Sequence, residues 1–582
     1  MSGMRFDEIV FVDNFFRSPD NALPSYPANR QFLFKAFGLP AGRLGLRCRE
    51  VHARSEGGTL DVGAMMDALA LPRSAAGWAR TCVADLAPLL DAGLLPRLTP
   101  NQLVIGWGMP PSLMHWVDRQ GASFIDIEIS PVRFASHLAF CARTNDRQIE
   151  AVLAGWRIDE EAFWNEATAT HGYFSRRSAS QLFHRGLRVG LFCGQSAIDL
   201  ALVRDGRIAR PIEVLDPVRE LARSVDLLVI KPHPYEPDLR HLAELAAQIP
   251  NTAWTDANIY ALLCADNVEF VCGLSSGALH EATYFMKPAV HLIASDRNSR
   301  GHLPASCSDW MPVGPGIMSL EALAGIVASA SDMPPRASRF PDDALDRAFA
   351  LRWGRDAQNP GLVTPPVPTL GAVHDLRAAG PARNWLSFGW RTIDGAGVLT
   401  AGERACVVIP LEAGSLAGAS FLHAHVEGLL SAPAAARRPL VRAWIDGHRA
   451  DVQAMPSGGV RAKVRLDLSI RLNADPAPRV LVLEFEMAGD GRANFELQRL
   501  GVRPTASPAA SAAMPSAASA IAVMVALIFL GVFSSALLRA SSADPEAEVT
   551  GAAQWTQIKS TLTTPVEWVR DDLHLLLRQH RG

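Results

Sequence analysis

Three short strings between residues 195 and 287 carry side chains suited to a charged substrate. In LFCGQSAIDLAL, Gln195 and Asp199 follow an apolar run. A carboxylate held there can meet the positive charge that grows on a sugar ring as its anomeric bond breaks, although an aspartate so placed also suits a helix cap. In LLVIKPHPYEPD, Lys231 and His233 come directly off a run of aliphatic residues. Lysine offers a point positive charge, and histidine can give a hydrogen bond or a proton to a leaving phosphate. Pro232 and Pro234 stiffen that loop, so the imidazole is positioned; a plain turn histidine bonded to a carbonyl is the bland alternative. In VCGLSSGALHEA, Gly273, Ser275, Ser276 and Gly277 lead into a helical pattern that carries His280 and Glu281. Small residues at a helix start let backbone N–H groups approach an anion.

These strings need rigid elements behind them. Apolar runs ending in polar or Gly/Pro turns alternate with helical patterns, as in α/β units: EIVFVDN, QLVIGWGMPPSLMHWVDRQG and SFIDIEISP early, then RVGLFCGQ, SVDLLVIKPHP, VEFVCGLSSGALHEATYF and KPAVHLIA. Residues 1–185 and 186–358 are expected to form two Rossmann-like lobes with a cleft between them. Strand ends line the crevice in open α/β sheets, so all three strings are well sited. On the first lobe, Asp126, Glu128, Arg133 and GWGMPP are candidates for a second substrate, with Glu128 as a base. Trp107, Trp116 and Trp156 are candidates for stacking on sugar rings, though core packing is their commoner role.

The pattern changes near Pro360. Residues 359–384 read as a linker and 385–503 as a small antiparallel β-sandwich. Its clearest strand lies at 460–472, where apolar residues alternate with Arg461, Lys463, Arg465, Asp467, Ser469 and Arg471. Asp446-Gly447 predicts a tight hairpin. A Pro/Ala/Ser linker at 504–516 leads to the uncharged stretch 517–538, long enough for a transmembrane helix, and 539–582 is a tail with an amphipathic helix pattern.

The set QxxxD, then Lys-Pro-His-Pro, then Ser-Ser before Glu281-Ala282 and Lys287-Pro288 resembles the bacterial capsule-polysaccharide family of Kdo transferases, over about residues 185–300. The resemblance implies a GT-B-like fold and a CMP-linked ulosonic acid as donor, with a capsule or other surface glycan, or a glycolipid, as acceptor. It implies Asp199 as the nucleophile of a retaining transfer, supported by Gln195. It also implies that Lys231, His233, Ser275, Ser276, Gly277 and Glu281 hold the nucleotide. A CDP-polyol phosphotransferase of the teichoic-acid type is a second reading, and a non-catalytic glycan-binding scaffold a third.

Composition sets the remaining bounds. With 48% hydrophobic and 20% charged residues the chain is globular, and a net charge of −3 gives no general attraction to nucleic acid. Eight scattered cysteines show neither zinc spacing nor a disulfide framework, so neither metal nor cofactor is expected and a reducing compartment fits. Asp7, Glu8 and Asp13 interrupt the first apolar run, which therefore lacks the form of a secretory signal. The expectation is a single-pass protein of the cytoplasmic membrane with its catalytic body in the cytoplasm, open to export or assembly partners. The full chain should then stay with membranes through an alkaline wash, while a chain ending at residue 505 is released. Release of both would remove the span.

Overall fold

Runs such as EIVFV and LLVIK are buried along their whole length, because a parallel strand has neighbours at both edges and helices over both faces. The computed structural model describes residues 4–328 except 136–137 and 185. It also describes 361–505 except 378–379, 394–396, 413–415, 417, 432–439, 446–447, 450, 457–460, 473–478 and 488–493. Among the described residues no helix is long and apolar enough to cross a membrane. The candidate span 517–538 and the tail 539–582 lie outside the described residues.

The first sheet sets Arg47–Val51, Glu8–Val12, Gln102–Trp107 and Ser123–Ile129 side by side and parallel; Phe140–Thr144 and Met311–Val313 extend it antiparallel. The second sheet is parallel throughout, in the order Thr252–Trp254, Leu227–Lys231, Val189–Cys193, Val268–Gly273, Ala289–His291. Each sheet reverses direction of winding once. The reversal falls between Glu8–Val12 and Gln102–Trp107 in the first, and between Val189–Cys193 and Val268–Gly273 in the second. Loops leave a reversal point toward opposite faces, so a crevice opens at the carboxyl ends of the strands there. In the second sheet that crevice also needs a glycine. A Cβ on Gly273 would stand 2.7 Å from the carbonyl oxygen of Cys193 and pry the two strands apart.

The lobe boundary differs from a cut at 185. The helix Glu160–Arg177 puts Phe163, Ala167 and Phe174 into the core of the second lobe. Conversely, Met311–Val313 joins the first sheet, and the helix Leu320–Val327 buries Leu323, Ile326 and Val327 in the first core. Local patterning cannot reveal such an exchange, because apolar faces of similar composition suit either core.

The sandwich also starts earlier than expected, since His374–Asp375, inside the supposed linker, pairs with Asn494–Thr505. Phe421–Ser431 lies between Arg461–Arg471 and Asn494–Thr505 in one sheet, and Arg404–Pro410, Val480–Glu486 and Leu440–Ile445 are adjacent in the other. The outer face of this latter sandwich sheet is not solvated: Cys406, Val408, Trp444, Val480 and Val482 are part of the core of the α/β lobe. At this seam Trp254 stacks on Phe388 at 5.6 Å and donates Nε1–H to Glu484 at 3.1 Å. Glu484, 2% exposed, is also paired with Arg404 and, at 3.2 Å, with Arg442. Without Glu484 the buried Trp254 N–H loses its acceptor, and Arg404 and Arg442 keep only Glu486 among the described carboxylates, at 2.8 and 2.7 Å. Glu484→Ala should therefore cost about 3–5 kcal/mol, read as a fall in Tm, and an unchanged Tm would contradict the seam.

Candidate functional site

The second sheet's crevice is a hollow of about 820 Å³. Three strand ends build it: Gly194 and Gln195 after Val189–Cys193, Pro232 to Pro234 after Leu227–Lys231, and Ser276 and Gly277 after Val268–Gly273. Arg133 reaches it from the first lobe, with Asn258 and Ile259 on the far wall. The wall is rich in donors. The helix Gly277–Tyr284 starts here, and its preceding residue, Ser276, does not spend its hydroxyl on a cap. Lys231 is 7% exposed and burial pushes its ammonium below its usual range, with Asp256 opposing. Burial likewise holds the His233 imidazole below its ordinary value, so it is neutral near pH 7; Asp199 opposes that shift. Tyr235 donates its backbone N–H to His233 Nδ1 at 3.3 Å, which puts the ring proton on Nε2 as a donor. Such a surface suits phosphate and carboxylate oxygens.

Asp199 sits at the edge of this hollow. Its Oδ1 accepts the Ala201 N–H at 2.9 Å and caps the short turn Leu200–Leu202. Cap and cleft carboxylate are thus one residue rather than alternatives, because only one oxygen is needed for the cap. The segment carrying it is tied down by Gln195 and Ser275. Gln195 Oε1 accepts the Ser275 N–H at 2.8 Å, and the Ser275 hydroxyl donates to the Ala201 carbonyl at 2.6 Å.

A second hollow of about 730 Å³ also borders Asp199. It forms at the first sheet's crevice, from Asp13, Asn14 and Arg17 after Glu8–Val12, from Trp107 and Gly108, and from Glu128 at the end of Ser123–Ile129. Tyr26, Asn29, Glu56, Trp78, Leu200 and Arg297 complete it. Hollows at the carboxyl ends of both sheets therefore share one aspartate.

Several expected roles change. Ser275 does not line the first hollow; its hydroxyl is turned to the Ala201 carbonyl, so it positions the 195–201 segment, and only Ser276 of the pair faces the crevice. Glu281 borders the hollow but is 4% exposed, and its Oε1 accepts from the N–H groups of Arg133 (2.7 Å) and Phe134 (3.2 Å) and from the Tyr260 hydroxyl (2.9 Å). It joins the lobes, and burial pushes its carboxyl up to about 7. Glu128 does reach the second hollow, where it is ion-paired with Arg297. Asp126 is a core residue, paired with Arg143 at 3.0 Å and accepting the Met109 N–H at 2.8 Å. Arg133 belongs to the donor-rich hollow rather than to the second one. Trp107 lines the second hollow, whereas Trp116 and Trp156 are packed in cores.

The sequence reading missed Asp13, Asn14, Arg17 and Trp78. The signal was present for the first two, since they stand immediately past the strand EIVFV. A third hollow, walled by Phe192, Leu202, Ile208, Leu242 and Leu274, lies behind Gln195 and is apolar. Among the described residues one trio, Asp205, Asp296 and His302, brings potential metal-ligand atoms within 4.8 Å of each other. Asp296 there already accepts the Gly206 N–H at 3.1 Å and pairs with His302 at 3.3 Å.

No family model matches the chain, and no curated protein matches it. Among solved structures, it shows a weak similarity to Thermosulfurimonas dismutans KpsC, a beta Kdo 2,7 transferase, at 14% identity and a TM-score of 0.27, over 55% of this chain and 90% of that one. A carbohydrate-binding module with specific mannan recognition, TmCBM27, is similar at 14% identity and a TM-score of 0.17, over 24% of this chain and 98% of that one. At such scores neither likeness decides fold or function, which rest on the chain's own geometry.

Glu281 makes a test of the lobe junction. Its carboxyl binds a proton more tightly when folded, so its ionisation lowers stability as pH rises from about 4.5 to about 7. Glu281→Gln keeps the Oε1 acceptor and should show a smaller loss of Tm between pH 5 and pH 8 than the wild type. Glu281→Ala should lose about 1–3 kcal/mol at both, having stranded three buried donors.

Proposed function

We propose that the chain is a glycosyltransferase that moves an ulosonic acid, Kdo or a relative, from its CMP-linked donor to a surface-glycan acceptor. One observation carries this reading: Asp199 borders both a donor-rich hollow at the second sheet's strand ends and a separate hollow at the first sheet's strand ends. A CMP-linked ulosonic acid presents two anions, its phosphate and its own carboxylate. Lys231, Arg133, His233, Ser276 and the N–H groups at Gly277 and Ala278 are the donors available to them. Neutral His233 gives a hydrogen bond from Nε2 to the departing phosphate rather than a full proton.

Asp199, with one oxygen held by the Ala201 N–H, attacks the anomeric carbon with the other. The bond to the phosphate oxygen breaks and CMP leaves with the electron pair. The acceptor hydroxyl then displaces Asp199, and two inversions give retention. Gln195 and Ser275 serve as positioning residues through the Ala201 carbonyl. Residues 517–538 would tether this body to the cytoplasmic membrane, close to a lipid-linked glycan, with the sandwich as a glycan grip.

Incubation of the full chain with CMP-Kdo should release CMP, and incubation with CDP-glycerol should release no CMP. Asp199→Ala should lower CMP release by at least on the order of 1000-fold, with only the small fall in Tm that the lost cap brings, about 0.5–2 kcal/mol. Turnover of CDP-glycerol or of UDP-sugars alone would replace the donor assignment, and an Asp199→Ala variant as active as the wild type would end the mechanism.

A further inference from the structure

The two hollows beside Asp199 differ in what their walls lack. In the second, Trp78 is fully buried and its Nε1–H has no hydrogen-bond partner among the described residues; Asp13 Oδ1 and Asn14 Oδ1 are likewise buried acceptors without one. Buried polar atoms are nearly always satisfied, so a wall with one orphan donor and two orphan acceptors is shaped for a visitor that both gives and takes hydrogen bonds. A hydroxyl does both, whereas a phosphate only accepts. Around these atoms stand aromatic faces: Tyr26 at the rim, Trp107, and Trp78, with the Arg17 guanidinium 4.7 Å from the Tyr26 ring centre and 5.5 Å from that of Trp78. Aromatic faces beside carboxylates are a surface for the apolar flank and hydroxyls of an uncharged sugar.

The acids of this hollow divide in two. Glu128 is ion-paired with Arg297, on which Asp126 also acts. Asp13 instead shares one guanidinium, that of Arg30, with Glu50 at 2.9 Å and Glu56 at 3.2 Å. Three carboxylates on one buried cation leave the group two negative charges in excess, and His52 and Arg17 are the other titratable groups nearby. Burial, with Glu56 and Glu50 adding to it and Arg30 opposing, pushes the Asp13 carboxyl up to about 7. Such a carboxylate has the proton affinity a base needs near neutral pH.

We infer that Asp13 is the group that takes the proton of the acceptor, and that the acceptor places an uncharged sugar hydroxyl in the hollow lined by Asp13, Asn14 and Trp78. The inference rests on the glycosyl-transfer reading above. In the second displacement the acceptor oxygen's lone pair forms the bond to the anomeric carbon. The bond to Asp199 breaks and its pair returns to that carboxylate, and the hydroxyl proton passes to Asp13 Oδ1. Loss of Asp13 therefore spares the first displacement and stalls the second.

The test uses the full chain, CMP-Kdo, and a panel of neutral methyl glycosides as acceptors. Asp13→Asn should release about one equivalent of CMP per protein, gain the mass of the sugar on the intact chain, and transfer to glycosides on the order of 100-fold more slowly. Its Tm reports folding. Glu56→Gln is the second variant: with one negative charge gone beside Asp13, the acid limb of the transfer rate should move to lower pH while that of CMP release stays in place. Transfer by Asp13→Asn within threefold of the wild type, or an acid limb that Glu56→Gln does not move, overturns the inference and leaves the function intact. A wild type that releases no CMP from the donor removes both.

Discussion

The site depends on the hydrogen bonds that cross the reversal point of the second sheet. Gln195, past one strand, receives the N–H of Ser275, past the other, and Ser275 in turn holds the carbonyl of Ala201. These bonds are local in space but span 80 and 74 residues of sequence. They fix the one segment that touches both hollows. Without them Asp199 would sit on a loop of no regular structure, and a carboxylate meant to meet a developing charge is useful only if its place is set beforehand. The close approach of Gly273 to Cys193 belongs to the same constraint, because the strands must be near enough for the bonds to form.

Charge is divided across that segment in a way that suits transfer between unlike partners. Lysine, one arginine, a neutral imidazole and helix N–H groups gather on one side; carboxylates, aromatic rings, Arg17 and Arg297 gather on the other. The acids on the far side are not equivalent. Glu128 is paired with Arg297, while Arg30 is shared by Asp13, Glu50 and Glu56, and burial pushes the Asp13 carboxyl up to about 7. Holding such an excess of buried negative charge costs stability, a cost that functional sites often carry.

The sandwich is a brace as much as an appendage. Its inner sheet buries apolar residues against the α/β core and seats Glu484 under the Trp254 indole, at the end of the edge strand Thr252–Trp254. Asp226, in the loop before Leu227–Lys231, pairs with Arg479 from the sandwich at 2.6 Å. Both contacts lie on the second lobe, so the wall that carries His233 is supported from behind.

Much of this could be read from the residues alone. Continuous apolar runs marked the buried parallel strands, period-two alternation marked Arg461–Arg471, and the three strand-end strings named most of the first hollow, because short-range pattern and strand-end placement obey local rules. Residues 517–538 keep the composition of a span. What the chain could not declare locally was decided by packing. Ser275 and Ser276 are adjacent and chemically alike, yet one turns inward to a carbonyl and the other to the crevice. Glu128 and Asp13 both stand at strand ends, and each meets an arginine from elsewhere along the chain, 169 and 17 residues away by their numbers. The exchange of Glu160–Arg177 and Leu320–Val327 between lobes has the same cause. Sequence determined which groups were available and on which elements; long-range contacts alone chose their partners, and a group's charge and reach depend on its partners.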